Sequence, residues 1–257
     1  MTIKFETKEN LGIITLNRPD VLNSFNREMA LAFQACLDEC EKDAKIRAIL
    51  ITGEGRAFCA GQDLAEAIAE DAPTIDTIVR EHYNPIVMRI RNIEKPIVCA
   101  VNGVAAGAGA NIALCCDIVI ASDKALFIQS FSNIGLIPDS GGTFFLPRLV
   151  GLQRATAMMF LADKVSAEQA LQYGMIYKVS TAENLMLEAE EIATRLSQMP
   201  TKGFGLTKRA LNESLFNNLE DQLEVEEDLQ AKAASTYDNQ EGINAFLEKR
   251  KPVFKGE

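Results

Sequence analysis

From the amino terminus, apolar and polar side chains alternate twice, with Ile3 and Phe5 and then Ile14 and Leu16 as apolar positions, around Glu9-Asn10-Leu11-Gly12. A period of two on both sides of a glycine-containing turn predicts a hairpin over residues 2–17. The period then changes. After Asn26 the apolar positions Met29, Phe33, Cys36, Leu37 and Cys40 fall at helical spacing, so a helix with Asn26 as its N-cap is expected. Residues 46–52 read as a buried strand ended by Gly53 and Gly55.

The alternation continues. Ile75, Ile78, Val79, Ile86, Val87 and Ile90 predict helix over 75–93, with Pro85 starting a new segment or kinking this one. Past Pro96 come a strand over 97–101, a Gly/Ala-rich turn, a short apolar helix through Leu114 and a strand over 117–121. Strands alternating with helices across residues 2–180 predict an α/β fold. From Thr181 the strands vanish, and helices are expected over 182–199, 202–214 and 219–234, with a last one begun by Asp238 and Glu241 as a capping pair. Pro200 marks a seam between a core at 1–199 and a helical region at 200–257. Helices apolar on one face must bury that face against the body or a second subunit.

Composition narrows the class. The 257 residues are 47% hydrophobic and 24% charged, enough for a sizeable core in one large domain. With 26 basic against 36 acidic residues, the net charge of −10 opposes binding to nucleic acid or to an acidic membrane surface. Six cysteines without a C-x-x-C pair, and the single histidine His82, do not make a zinc site. They read as reduced thiols of a cytoplasmic protein, and no metal is expected. His82 itself reads as a surface or interhelix residue.

Chemistry concentrates in three segments. Residues 53–64 and 101–111 are both glycine- and alanine-rich turns between a strand and a helix. Such turns either pack tightly or aim main-chain N–H groups at one oxygen, and spacing alone leaves both readings open. Neither is a phosphate loop or a dinucleotide fingerprint. The third segment sets Asp139 in an apolar stretch before Gly141-Gly142, as an N-cap, an acid/base or both.

The motifs Ala57-Phe58-Cys59-Ala60-Gly61-Gln62-Asp63-Leu64, Lys95-Pro96-Ile97-Val98-Cys99-Ala100-Val101-Asn102-Gly103, Cys116-Asp117-Ile118-Val119-Ile120-Ala121 and Gly135-Leu136-Ile137-Pro138-Asp139-Ser140-Gly141-Gly142-Thr143 resemble those of the crotonase (enoyl-CoA hydratase/isomerase) superfamily. The resemblance runs in order through nearly the whole chain. It implies a β/α spiral core, a C-terminal helical region that forms homotrimers or dimers of trimers, and an acyl-CoA thioester as substrate. No cofactor is implied beyond the coenzyme A that the substrate carries.

By position, the resemblance maps the two oxyanion-hole amides onto Ala60 and Ala108. It maps substrate contacts onto Gly61, Gln62, Asp63, Leu64, Gly107, Gly109, Asn111 and Phe131, with a packing or helix-capping role as the alternative for Asn111. Arg18 and Lys255 are candidates for the coenzyme phosphates, and Phe254 for the adenine, reached from a neighbouring subunit. Residues 65–80 are either a lid or a plain surface helix. Hydratases of the superfamily add water with two glutamates, whose positions hold Asn111 and Phe131 here, and neither side chain can take a proton from water. Asp139 remains, where isomerase and dehalogenase branches carry a working aspartate. The dehalogenase branch also needs a histidine and a tryptophan, but His82 is off register and Phe131 fills the tryptophan position. The resemblance therefore implies an acyl-CoA isomerase, nearest to members that act on ring-epoxidised phenylacetyl thioesters and shift the double bond of 3-enoyl-CoAs. The alternatives are an enoyl-CoA hydratase of fatty-acid oxidation and a non-catalytic partner protein of the same superfamily.

Overall fold

The computed structural model describes residues 1–69 and 72–257. Strands β1 (Ile3–Lys8) and β2 (Leu11–Leu16) form the expected hairpin, with Ile3 opposite Leu16 and Lys8 opposite Leu11. Helix α1 (Arg27–Lys42) follows, and the Asn26 side chain accepts the Met29 N–H at 3.0 Å as its cap. Next come β3 (Ala48–Gly53), β4 (Ala57–Cys59), α2 (Leu64–Ala67), α3 (Ile75–Ile78), a π-helical turn over Val79–Tyr83 and α4 (Asn84–Asn92). Pro85 sits in the first turn of α4, directly after the π-helical turn, and the Glu81 carbonyl four residues earlier, which a proline cannot bond, accepts the Gln34 Nε2 at 2.8 Å instead.

The middle of the chain holds β5 (Ile97–Val101), β6 (Val104–Ala106), α5 (Ala108–Leu114), β7 (Ile118–Ser122) and β8 (Leu126–Ile128). Then follow α6 (Gly142–Val150), α7 (Leu152–Leu161), β9 (Val165–Ser166), α8 (Ala167–Gln172) and β10 (Lys178–Ser180). Helices α9 (Leu185–Ser197), α10 (Thr201–Glu213), α11 (Leu219–Ala234) and α12 (Tyr237–Leu247) complete the chain.

The strands divide between a six-stranded sheet, β1-β2-β3-β5-β7-β10, and a four-stranded sheet, β4-β6-β8-β9. Successive strand pairs β3/β4, β5/β6 and β7/β8 each place one member in the large sheet and the next in the small one, so the chain winds as a spiral through both. Within each sheet these strands run parallel. Alternation sorts the core: Ile49 and Ile51 of β3 face Phe25, Phe33 and Phe58, while Ala48 and Leu50 face Leu185 and Ala189 of α9. Both faces of the large sheet are therefore covered, as a parallel sheet requires.

One expectation fails at the C-terminus. Thr236, not Asp238, caps α12, its hydroxyl accepting the Asn239 N–H at 3.1 Å. Asp238 and Glu241 instead grip the tail: Asp238 accepts the N–H groups of Lys255 and Gly256, and Glu241 pairs with Arg250 and accepts the Val253 N–H. Two carboxylates on the inner face of a helix gain more from main-chain donors than from capping a terminus already capped. Among the described residues, no helix is long and apolar enough to cross a membrane.

Candidate active site

Parallel strands deliver their following turns to one edge, and here β4 and β6 bring two of them side by side, with Cys59 opposite Ala105. The approach is too close for a side chain: a Cβ on Gly109 would collide with the Cys59 carbonyl. Gly107 takes φ +53 to swing the backbone into α5, leaving Ala108 as its first residue. An N–H at that position has no acceptor in its own helix. A Cβ built on Gly61 would lie 3.6 Å from the Ala108 nitrogen, so the two turns meet beside that N–H.

The structure corrects the other expected donor. The Ala60 N–H is bonded to the Leu22 carbonyl at 3.0 Å and is not available to a ligand. Two residues on, Phe25 pairs with this segment as a one-residue bridge: its N–H donates to the Gly61 carbonyl and its carbonyl accepts the Asp63 N–H. Because extended residues present their N–H groups alternately, that pairing turns the Gln62 N–H to the opposite side, where among the described residues it meets no acceptor. Gln62 and Ala108 are thus the candidate pair. The sequence carried no sign of the one-residue bridge that decides this register.

Gln62 is anchored at its side chain. Tyr83, buried, donates its hydroxyl to the Gln62 Oε1 at 2.7 Å, and the Gln62 Nε2 donates to Glu66 at 3.1 Å. Burial pushes the Tyr83 phenol well above its ordinary range, helped by the nearby Cys59, Asp139 and Glu66, so it stays a donor. Burial also pushes the Cys59 thiol up to about 12. The sequence holds no signal that sets Tyr83 apart from a core aromatic of a helix, beside the single histidine His82. His82 is in fact buried against α1 in the π-helical turn, its Nε2 3.3 Å from the Arg27 guanidinium, and burial lowers its pKa.

The third segment reaches the same place. Asp139 precedes α6, whose N-cap is Gly141, so the expected alternative of Asp139 as a cap does not hold. Its carboxylate accepts the Ser140 hydroxyl at 2.8 Å, and burial raises its pKa against the lowering effect of that bond and its own N–H. Asn111, one turn into α5, donates to the Asp139 carbonyl at 2.9 Å. Phe131 is buried, its ring 3.8 Å from a Cβ built on Gly107.

Other carboxylates nearby are engaged. Asp63 caps α2 through the Ala65 N–H and binds Arg18 at 2.8 Å. Glu66 accepts the Arg27 N–H as well as Gln62. Arg18 also donates to the Ser24 carbonyl, so its guanidinium holds the loop that carries Gln62 and Leu64. Phe254 and Lys255 are not brought to this place within one chain. The Phe254 carbonyl accepts from Arg47 at 2.9 Å, and Arg47 precedes β3, at the end opposite the 53–62 turn; the Lys255 Nζ sits 4.0 Å over the Tyr237 ring. The suggested lid at 65–80 includes residues 70 and 71, which lie outside the described residues.

Comparison with known proteins identifies the family of the chain. A family model described as Enoyl-CoA hydratase/isomerase matches residues 6–257. The chain is 48% identical to the Escherichia coli K12 protein named 1,2-epoxyphenylacetyl-CoA isomerase, covering 95% of this chain and 94% of that one. It is 43% identical to a Rhodobacter capsulatus protein named "Probable enoyl-CoA hydratase", over 99% and 98%. Among solved structures, enoyl-CoA hydratase subunit I from Geobacillus kaustophilus superposes with a TM-score of 0.93 at 35% identity, covering 100% of this chain and 99% of that one.

Proposed function

The chain belongs to the enoyl-CoA hydratase/isomerase family, and on that premise we propose that it is an acyl-CoA isomerase with Asp139 as acid/base. The observation that carries the reading is the state of the carboxylates. Asp63 and Glu66 are tied to a cation or to main-chain N–H groups, whereas Asp139 has no cationic partner among the described residues and a raised pKa. A carboxylate held that way, in place of hydratase glutamates replaced by Asn111 and Phe131, suits a proton shuttle rather than addition of water.

In this reading the thioester oxygen lies between the N–H groups of Gln62 and Ala108. Ionised Asp139 takes a proton from C2 of a 3-enoyl thioester, and the C–H electron pair moves into an enolate whose negative charge the two donors stabilise where it develops. The same carboxyl returns the proton at C4, giving the 2-enoyl thioester with no change in mass. Similarity at 48% to an epoxyphenylacetyl-CoA isomerase supports 2-(1,2-epoxy-1,2-dihydrophenyl)acetyl-CoA as the principal substrate, isomerised to oxepin-CoA in phenylacetate catabolism in the cytoplasm. Exposed apolar side chains on the helical region, among them Phe216, Leu219, Phe246 and Leu247, support a homotrimer or a dimer of trimers. In such an assembly Phe254 and Lys255 would serve a neighbour's coenzyme.

Product analysis by mass spectrometry and NMR tests the proposal, with epoxyphenylacetyl-CoA, 3-hexenoyl-CoA and crotonyl-CoA offered separately. Isomers of unchanged mass are expected from the first two. Turnover of crotonyl-CoA alone, with the gain of one water, would overturn it in favour of a hydratase.

A further inference from the structure

We infer that Asn111 is a positioning residue: its amide fixes the turn that carries Asp139 at a set distance from the Ala108 N–H on the same helix. The inference rests on the reading of Asp139 as the acid/base. It differs from the substrate contact that the sequence resemblance implied for Asn111.

The turn needs holding. Ser140 and Gly141 both have positive φ, +52 and +76, and the Gly142 N–H closes on the Asp139 carbonyl at 2.8 Å, the pattern of a type I′ turn. Glycine takes this conformation freely, but a buried serine there persists only where its surroundings hold it. Helix α5 supplies the hold. Asn111 donates to the Asp139 carbonyl at 2.9 Å, and Cys115, four residues on and therefore on the same helical face, donates its thiol to the Ser140 carbonyl at 3.6 Å. Ala108 lies one turn earlier on that helix. A single rigid element thus carries one proposed oxyanion donor and both clamps on the base.

The orientation of Asn111 is itself fixed. Gln129 donates its Nε2 to the Asn111 Oδ1 at 2.8 Å, and its own Oε1 is left buried without a partner among the described residues. Turning the Gln129 amide over would set two acceptors face to face. The unsatisfied Oε1 is therefore the consequence of keeping the Asn111 Nδ2 aimed at Asp139, and a fold retains such a penalty where the oriented group matters. Both polar atoms of the Asn111 side chain are engaged inside the chain, and the residue is only 1% exposed. Gly142 completes the fit, because a Cβ there would collide with the Asn111 amide.

The test combines a titration with kinetics. In Asn111→Ala, the Asp139 carboxyl, followed by ¹³C NMR, should titrate at a lower pH by roughly half a unit or more as the loosened turn gives it to solvent. On 3-hexenoyl-CoA, kcat should fall ~10–10²-fold through misplacement of the base, with KM changed less than about two-fold. In an Asp139→Asn background, Asn111→Ala should add less than about two-fold, because a residue acting through Asp139 has nothing left to position. Should Asn111→Ala fail to fold, Gln129→Met and Gly142→Ala disturb the same amide and should give the same pattern. An unchanged Asp139 titration, a raised KM with unchanged kcat, or full additivity with Asp139→Asn would each overturn the inference. Full activity of Asp139→Asn alone would refute the acid/base reading instead, and the titration would then still decide whether Asn111 holds that side chain.

Discussion

One methyl group at position 109 tests whether the contact of the two turns sets the rate. In Gly109→Ala the new carbon would collide with the Cys59 carbonyl and stand 2.7 Å from both the Cβ and the Sγ of Cys59. Carbon contacts relax near about 3.5–4.0 Å, so the turns must part by ~1 Å. Ala108, the preceding residue, moves with the displaced backbone. A shift of ~1 Å costs up to ~10²-fold in rate, and complete loss of an oxyanion donor ~10²–10³-fold, so kcat on 3-hexenoyl-CoA should fall between ~10- and 10³-fold. Overpacking costs about 1–3 kcal/mol, which for a chain of this size lowers Tm by roughly 2–12 °C. Gly203→Ala is the control, since a Cβ there meets only the Pro200 Cβ at 4.0 Å in helix α10. It should hold kcat and raise Tm slightly, because alanine restricts the unfolded chain more than glycine does. Wild-type kcat and Tm in Gly109→Ala would refute the argument.

Further outcomes follow from the buried and paired ionisable groups. Because burial raises the Asp139 pKa, native protein holds that proton more tightly than the unfolded chain; the stabilisation is present below the ordinary carboxylate value and is lost as pH rises through the folded one. Asp139→Asn should therefore melt higher than wild type at pH 7, and wild-type kcat/KM should rise with pH along an acid limb above the usual aspartate range; a lower melting point, or a limb at or below that range, contradicts this. Glu241, held down to about 2 first by Arg250 and then by the Val253 N–H, contributes stability that is full above its unfolded pKa near 4.5 and disappears as pH falls through about 2. Hydrogen exchange at Val253 should accelerate over that window, and exchange independent of pH, after correction for intrinsic rates, would argue against the clamp. Cys59 and Cys40, with thiols raised to about 12, should resist alkylation at pH 8 under native conditions, while the half-buried Cys36 reacts first. Mass mapping that finds Cys59 modified first would contradict that order.

Long elements were legible in the sequence because burial imposes a period on them. The Ile14/Leu16 alternation, the Asn26 cap and the Met29-to-Cys40 spacing each lead to an element observed in the fold. The small sheet was not legible: β4, β6 and β8 are only three residues each, and their turns of glycine and alanine carry no period. Those turns could be located as chemical segments, but the donor within them could not. Whether Ala60 or Gln62 offers its N–H depends on which side Leu22 and Phe25 occupy, a contact across more than thirty residues. Asp139 stood out as a lone acid among apolar neighbours. Asn111 could be named as a candidate but not given its role, and Gln129, which orients it, carried no signal, because local sequence does not tell an amide that faces a ligand from one that faces a backbone carbonyl.

The central claim is that one carboxyl moves the proton. Its most direct test is the single-turnover rate of 3-hexenoyl-CoA conversion by Asp139→Asn, with folding verified by its melting curve. A fall of ~10²–10⁴-fold, with acyl-CoA affinity held within a few-fold, is predicted for loss of a general acid/base. A rate within a few-fold of wild type would contradict it.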